Sequence, residues 1–354
     1  MRILDGYIAR TVAGQIASVM LILLAIYFFS TFVAEMGDVG KGDYTVTGAL
    51  LFTLMQIPLY TYQLFPLVAL VGTMLGLGAL ANTSELTVMR AAGVSVRRIV
   101  IAVVKVSLVM VIAVTLIGEL IAPRLEMQAQ AYRAEALGKN ISLNTKDGLW
   151  ARDGRSFINI ERLLVDGHAS NVRIYRFAED HSLRETIFAP RGIYRDDAWQ
   201  LEQVIRSRIS PEGVETRRME NMRWESSLNP SVIDVVAIKP ENLSATDLWD
   251  YLSYMRENGL EDKRYNLAFW IRIMIPFATG GMVLLAVPFV FGSMRNVSIG
   301  QRIMVGALLG IGFYLFNAIF NRVGVIYDIP PFLAASLPTF VVYALWGLMM
   351  RRVR

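Results

Sequence analysis

The residues that could do chemistry are few, and their spacing argues against catalysis. The sequence has no cysteine and two histidines, His168 and His181. Disulfides, thiolate metal sites and cysteine nucleophiles are excluded, and a His-rich metal site has nothing to build on. No G-x-x-x-x-G-K-[ST] run occurs, and "LGKNIS" at 137–142 lacks the pattern, so the chain has no phosphate-cradling loop of its own. H-E-x-x-H and G-x-S-x-G are absent too. What remains is charge set beside apolar surface. Glu85 is the one acid in "LANTSELTVMRAAGVSVRRIV" (Leu80–Val100), in company with Arg90, Arg97 and Arg98. Lys41, Arg124, Arg133, Lys263, Arg264, Arg272 and Arg322 flank apolar runs. There they either anchor an interface or bind an anionic headgroup, by charge and, for arginine, by paired hydrogen bonds. Phe313, Phe316 and Phe320, three and four apart, share one helix face that either packs on neighbouring helices or meets a greasy ligand.

Such residues need apolar elements to position them. The chain of 354 residues is 54% hydrophobic, and its mean hydropathy is +0.44. The excess is concentrated in blocks. A bilayer core of roughly 30 Å needs about 20 apolar residues per helix. Six stretches qualify, near 12–35, 49–79, 99–122, 267–291, 303–321 and 332–350. The first, from Val12 to Ala34, outruns the apolar core of a signal peptide and reads as an uncleaved span. Arg2, Arg10, Arg90, Arg97, Arg98, Arg295, Arg302, Arg351, Arg352 and Arg354 gather on one side of these spans, which places both termini in the cytoplasm. The net charge of +5 follows from that bias, so nucleic acid is not an expected partner. Lys105, Glu119 and Arg272 each fall near a span end, where they can snorkel to the interface. Span centres are nearly free of charge, which counts against proton- or ion-coupled transport. Gly72 and Gly76 form a G-x-x-x-G that permits close approach to span 1 or span 3, or an oligomer seam.

The connection from Pro123 to Tyr265 falls between spans 3 and 4, outside the cytoplasm. Short, imperfectly alternating runs punctuated by Asp, Gly, Pro and Ser read as an antiparallel sandwich or barrel-like sheet. Trp150, Phe157, Ile160, Trp199, Leu201 and Trp224 are expected in its core. "SATDLWDYLSYMRENG" opens with Ser244 and Asp247 in a capping-box spacing and stops at Gly259. Its apolar face, Leu248, Tyr251, Leu252 and Met255, is expected to dock on the sheet.

Leu80–Val100 reads as a short surface helix between spans 2 and 3. Asn82, Thr83 and Ser84 can each cap it, Glu85 suits the positive end of the helix dipole, and Gly93 ends it. A turn would suffice to connect two spans. The helix either lies on the headgroups or docks a soluble partner.

That stretch, with its flank "LGLGALANTSELTVMRAAGVS", resembles the corresponding segment of the lipopolysaccharide export permeases, the LptF/LptG (YjgP/YjgQ) family. The likeness continues through "APRLEMQAQAYRAEAL", "GLWARDGRSFINIER", "FVFGSMRNVSIGQRI" and "IYDIPP", in the same order and across essentially the whole chain. "GLWARDG" lies nearer the LptG branch. The resemblance implies six spans and a periplasmic β-jellyroll. It implies an LptF-like second permease, an LptB-like cytoplasmic ATPase dimer and an LptC-like membrane-anchored periplasmic protein. Lipopolysaccharide would be taken from the inner membrane and passed toward a periplasmic bridge. The helix between spans 2 and 3 would dock into the ATPase, with Glu85 meeting it and Leu86, Met89 and Arg90 alongside. Spans 1 and 5 would line the cavity as lateral gates, which favours Phe313, Phe316 and Phe320 as acyl-chain contacts and Lys41, Arg133 and Arg322 as headgroup contacts. The chain departs from some relatives in lacking lysine within the outer part of span 1, where it reads "FFSTFVAEMGDVG". Headgroup recognition by this subunit is then weaker or shared with its partner.

The fold expected is therefore an α-helical membrane protein with six transmembrane helices plus an all-β periplasmic domain, β-jellyroll-like, inserted between spans 3 and 4. Its parts are 1–135 (spans 1–3, with the coupling helix at about 82–93), 136–243 (β-domain), 244–262 (connecting helix) and 263–354 (spans 4–6). The function expected is that of an ABC-transporter permease in the bacterial inner membrane. It binds no cofactor directly, and its partner ATPase uses the ATP. The rival is a membrane-anchored periplasmic sensor or assembly protein, which would be expected to carry a sizeable cytoplasmic output domain that the sequence does not offer.

Overall fold

The computed structural model describes residues 2–137, 149–163, 168–180, 182–195, 198–211, 213–226, 240–260, 263–291 and 297–351. His181, Arg295, Arg352 and Arg354 lie outside them, as do parts of the expected 136–243 domain.

Six helices among the described residues are long and apolar enough to cross a membrane. They are α1 (Arg2–Glu35), α2 (Val46–Asn82), the run α4 (Val96–Leu116) through a π-helical turn (Ile117–Ile121) into α5 (Ala122–Ala136), α7 (Lys263–Phe291), α8 (Ile299–Ile326) and α9 (Pro331–Met350). Helices satisfy their own backbone groups, which is the condition for crossing hydrocarbon. They also run past the apolar stretches: α1 begins at Arg2, not near 12.

The chain forms two compact units, one of residues Met1–Glu35, Thr53–Glu126 and Lys263–Arg354, the other of Met36–Phe52 and Met127–Asp262. In the first, burial separates the helices. The most apolar windows of α2 and α7 are 67% and 56% buried, whereas those of α1 and α8 are 11% buried. So α2 and α7 form the interior, and α1 and α8 leave Ile26, Phe29, Ile311 and Leu315 exposed toward lipid or another chain. The glycine pair serves α1: a Cβ at Gly72 would lie 2.5 Å from the Ile16 Cα, and one at Gly76 2.8 Å from the Val12 Cα. Only glycine lets these two backbones approach so closely.

Arg272 does not snorkel. It is buried, with 4% of its surface exposed. Its Nε donates to the Glu119 carboxylate at 2.7 Å, and its Nη2 donates to the Gly118 carbonyl. The guanidinium lies 4.5 Å from the centre of the Tyr62 ring, whose hydroxyl donates to the Arg272 carbonyl. Glu119 and Gly118 sit on the π-helical turn. Enclosure explains the finding: proximity to a span end in sequence does not bring a side chain to water when the other helices surround it.

In the second unit a six-stranded antiparallel sheet runs in chain order: β1 (Leu149–Asp153), β2 (Ser156–Leu163), β3 (His168–Phe177), β4 (Leu183–Arg195), β5 (Ala198–Ser210) and β6 (Gly213–Trp224). Asn171 and Gln203, each with φ 52, interrupt the alternation without shifting the pairing register. Ala169 and Val172 therefore both face inward, as do Leu201 and Val204. Ile160, Trp199, Leu201 and Trp224 are buried as expected. Trp150 and Phe157 are not; they are 55% and 41% exposed. They pair across the strands with Asn159 and Arg152, on the face opposite Ile158 and Ile160. There they line an apolar pocket of about 360 Å³ with Tyr175 and Phe177.

The helix α6 (Ala245–Glu257) covers the buried face. Ser244 and Asp247 form the capping box, and Gly259, with φ 63, follows its end. Leu248 and Met255 are buried, and Tyr251 packs on the sheet core. Tyr254, one turn on, donates its hydroxyl to the Arg152 carbonyl at 2.7 Å. Burial, and then the charge of Asp153, push its phenol up to about 12. The folded state thus holds this proton more tightly than the unfolded chain. The stabilisation is complete below about pH 10 and lost as pH rises toward 12. Tyr254→Phe is expected to cost about 1 kcal/mol at neutral pH. It should also remove part of the alkaline loss, read as the difference between the two proteins' melting curves from pH 8 to 11.

Candidate functional site

The helix between spans 2 and 3, α3, runs from Glu85 to Ala91. It is shorter than the expected 82–93, because α2 continues to Asn82. Its start is not side-chain capped. Ser84 adopts the left-handed region at φ 60 and makes no capping bond. Thr83 instead donates its hydroxyl to the Glu85 carboxylate at 2.8 Å. The end is as expected: Gly93, at φ 85, lets its N–H reach the Arg90 carbonyl and that of Val94 reach the Met89 carbonyl.

The four residues singled out on this helix divide by direction. Leu86 is buried, and Met89 packs against the same helical core that holds Leu80 and Ile99. They fasten α3 to the ends of its own spans. Glu85 is half-buried, and Arg90 is exposed. Val88, at 66%, is exposed as well. A half-buried acid, an exposed cation and an exposed aliphatic side chain thus stand together on a helix fixed from behind.

Two of the basic candidates share an acid that sequence reasoning passed over. The Lys41 ammonium and the Arg133 guanidinium both reach Asp38, each at 2.6 Å. Arg133 also lies over the ring of buried Phe52, 5.5 Å from its centre. The i, i+3 spacing of Asp38 and Lys41 was the available signal; the reach of Arg133, 95 residues on, had none. Asp38 thus holds both cations in one place. Arg322 is exposed on α8. On the same helix Phe313 packs against the helical core, and the half-buried Phe316 and Phe320 rings lie 4.5 Å apart. The opposite face, with Tyr314, Leu315 and Ile319, is exposed.

A further residue was read only as flanking charge. Arg302 is 1% exposed, and its Nη2 donates to the Asn82 side-chain Oδ1 at 2.9 Å. Its signal in the sequence was faint: Ser298 and Gln301 cap the start of α8 and fix the turn that carries it.

Residues 6–352 match the family described as Lipopolysaccharide export system permease LptF/LptG. The chain is similar to lipopolysaccharide export system permease protein LptG of Haemophilus influenzae, 36% identical over 352 residues, covering 99% of this chain and 98% of that relative. It is also similar to the LptG proteins of Escherichia coli K12 and O6:H1, 34% identical over 354 residues in each, with the same coverage.

Proposed function

The chain belongs to the lipopolysaccharide export system permease LptF/LptG family, and from that premise we propose that it is the LptG-type permease of an ABC exporter in the bacterial inner membrane. It is a transport subunit, not itself a catalytic enzyme. An LptF-like permease would pair with it, an LptB-like ATPase dimer would bind α3 on the cytoplasmic side, and an LptC-like protein would receive cargo in the periplasm. The antiparallel sheet is then the described part of a periplasmic β-jellyroll, and both termini are cytoplasmic.

The observation that carries this reading is the whole-chain similarity, which spans both the α3 segment and the sheet. The physical logic is differential stability. A wide cavity between permeases favours bound acyl chains and a collapsed one does not, so a partner that drives collapse shifts the population toward release. Each buried methylene is worth about 0.8 kcal/mol. A lipid with several chains therefore leaves the bilayer only when work is supplied. Glu85, with Arg90 and Val88, would receive that work, while Leu86 and Met89 pass it to the spans. Phe313, Phe316 and Phe320 would meet acyl chains. Lys41 and Arg133, pre-positioned by Asp38, would meet headgroup phosphate, with Arg322 contributing from α8.

Purification in mild detergent tests the reading. An ATPase and a second six-span protein should co-elute with this chain, and the complex in proteoliposomes should release lipopolysaccharide to a periplasmic acceptor only with hydrolysable ATP. Elution alone, or release indifferent to ATP, would sink it.

A further inference from the structure

We propose that Arg302 is the positioning residue through which movement of the coupling helix α3 reaches span 5. The inference rests on the reading of α3 as the ATPase-docking helix. Its geometry is independent of that reading. Asn82 is the last residue of α2, three before Glu85. Arg302 lies in the first turn of α8, just after the Ser298–Gln301 capping box. Its guanidinium donates to the Asn82 side-chain amide oxygen, Oδ1, at 2.9 Å, tying the start of span 5 to the residues that lead into α3.

Gly78, one turn back from Asn82, makes the room. A Cβ there would stand 2.5 Å from the Arg302 Nη1, 2.8 Å from its Cδ and 2.9 Å from its Cζ. No larger residue fits without displacing the guanidinium.

The rest of the α8 face toward α2 explains why this one bond matters. Arg302, Gly306 and Gly310 recur every four residues and form one stripe. A Cβ at Gly306 would press on Val71 and Met74, and one at Gly310 would overlap Leu67. Contacts at glycine resist compression but have no direction, so they allow α8 to slide or rotate along α2. A guanidinium hydrogen bond is directional and resists both. Elsewhere α8 is lightly held, with 11% of its most apolar window buried. A shift of Asn82 therefore moves the start of α8, and the glycine steps let the rest of the helix follow.

The test uses the assembled complex. This chain has no cysteine, so spin labels can be placed at Ala91, Leu308 and Leu348, all exposed. The 91–348 distance reports α3, and the 308–348 distance reports span 5, each read without nucleotide and with a trapped ATP analogue. In the unmodified protein both distances should change. In Arg302→Met, and in Asn82→Ala, which leaves the guanidinium packed, the α3 change should persist and the span 5 change should shrink. Lipid released per ATP hydrolysed should fall about tenfold, the scale of a coupling energy between sites. Asn82→Asp, which keeps the acceptor, should restore both. An unchanged span 5 response and an unchanged lipid-to-ATP ratio in both Arg302→Met and Asn82→Ala would overturn the proposal. If α3 moves in the unmodified protein and span 5 does not, this inference fails alone; if α3 does not move, the docking reading fails with it.

Discussion

Arg272→Ala is expected to cost the folded protein about 3–5 kcal/mol, whereas Arg272→Met combined with Glu119→Leu should cost about half as much or less. The asymmetry follows from what each change leaves behind. Arg272 is enclosed, and it gives one N–H to Glu119 and another to the carbonyl of Gly118. Removing it alone leaves Glu119 among packed helices without its guanidinium partner, in a region where water offers little compensation. It also takes away the cation over the Tyr62 ring. Removing both charges exchanges a desolvated pair for apolar contact, which suits the surroundings. The π-helical turn Ile117–Ile121 widens the backbone at this point, and a Cβ at Gly118 would lie 2.3 Å from the Tyr62 ring. The site is therefore sterically committed to its present partners. Apparent melting temperature and yield of the purified complex in mild detergent would measure the effect. A double variant as unstable as Arg272→Ala would show that the pair is not what stabilises the three helices.

The contrast between this pair and the spans that carry it shows what a sequence can disclose. The spans were legible because hydrocarbon imposes a requirement on every residue in a long run. The strands were legible in part: composition revealed them, but the left-handed residues Asn171 and Gln203 broke their alternation. Trp150 and Phe157 were read as core because large aromatic residues favour burial, although strand pairing puts them on the other face. Arg272 and Arg302 were misread for one reason. Their partners stand 153 and 220 residues away, so only the folded chain brings them together. On α3 the glycine stop was legible, since φ 85 at Gly93 needs glycine. Its start was not, because Ser84 takes a left-handed conformation in place of a capping bond. Glu85 stood out as the one acid of its stretch, and the family resemblance supplied a role that its chemistry alone left open.

Glu85→Ala should reduce ATP-driven lipopolysaccharide release by about tenfold or more, because truncating one partner of a desolvated charge contact costs roughly 2–5 kcal/mol. Its effect on this chain's own stability should be far smaller. As an acid in the first turn, Glu85 contributes about 0.3–1 kcal/mol through the helix dipole. Its carboxylate also accepts from Thr83 within the turn and from the hydroxyl of Tyr7, an exposed residue of α1, so both contacts lie at the surface. Leu86 and Met89 continue to hold α3 against the helical core whatever stands at position 85. The two magnitudes separate docking from folding. If Glu85 serves only the helix, Glu85→Ala lowers the melting temperature slightly and leaves transport intact. If it meets a basic group on the ATPase, release and co-purified ATPase both fall while the melting temperature hardly moves. Glu85→Gln refines the reading. It keeps the size and an acceptor for Thr83 but loses the charge, so it should resemble Glu85→Ala in transport and the unmodified protein in stability. Glu85→Asp keeps the charge on a shorter arm and should recover part of the release. Unmodified levels of assembly and ATP-driven release in Glu85→Ala would remove Glu85 from the coupling surface and leave Arg90 and Val88 as the exposed side chains that could still form it.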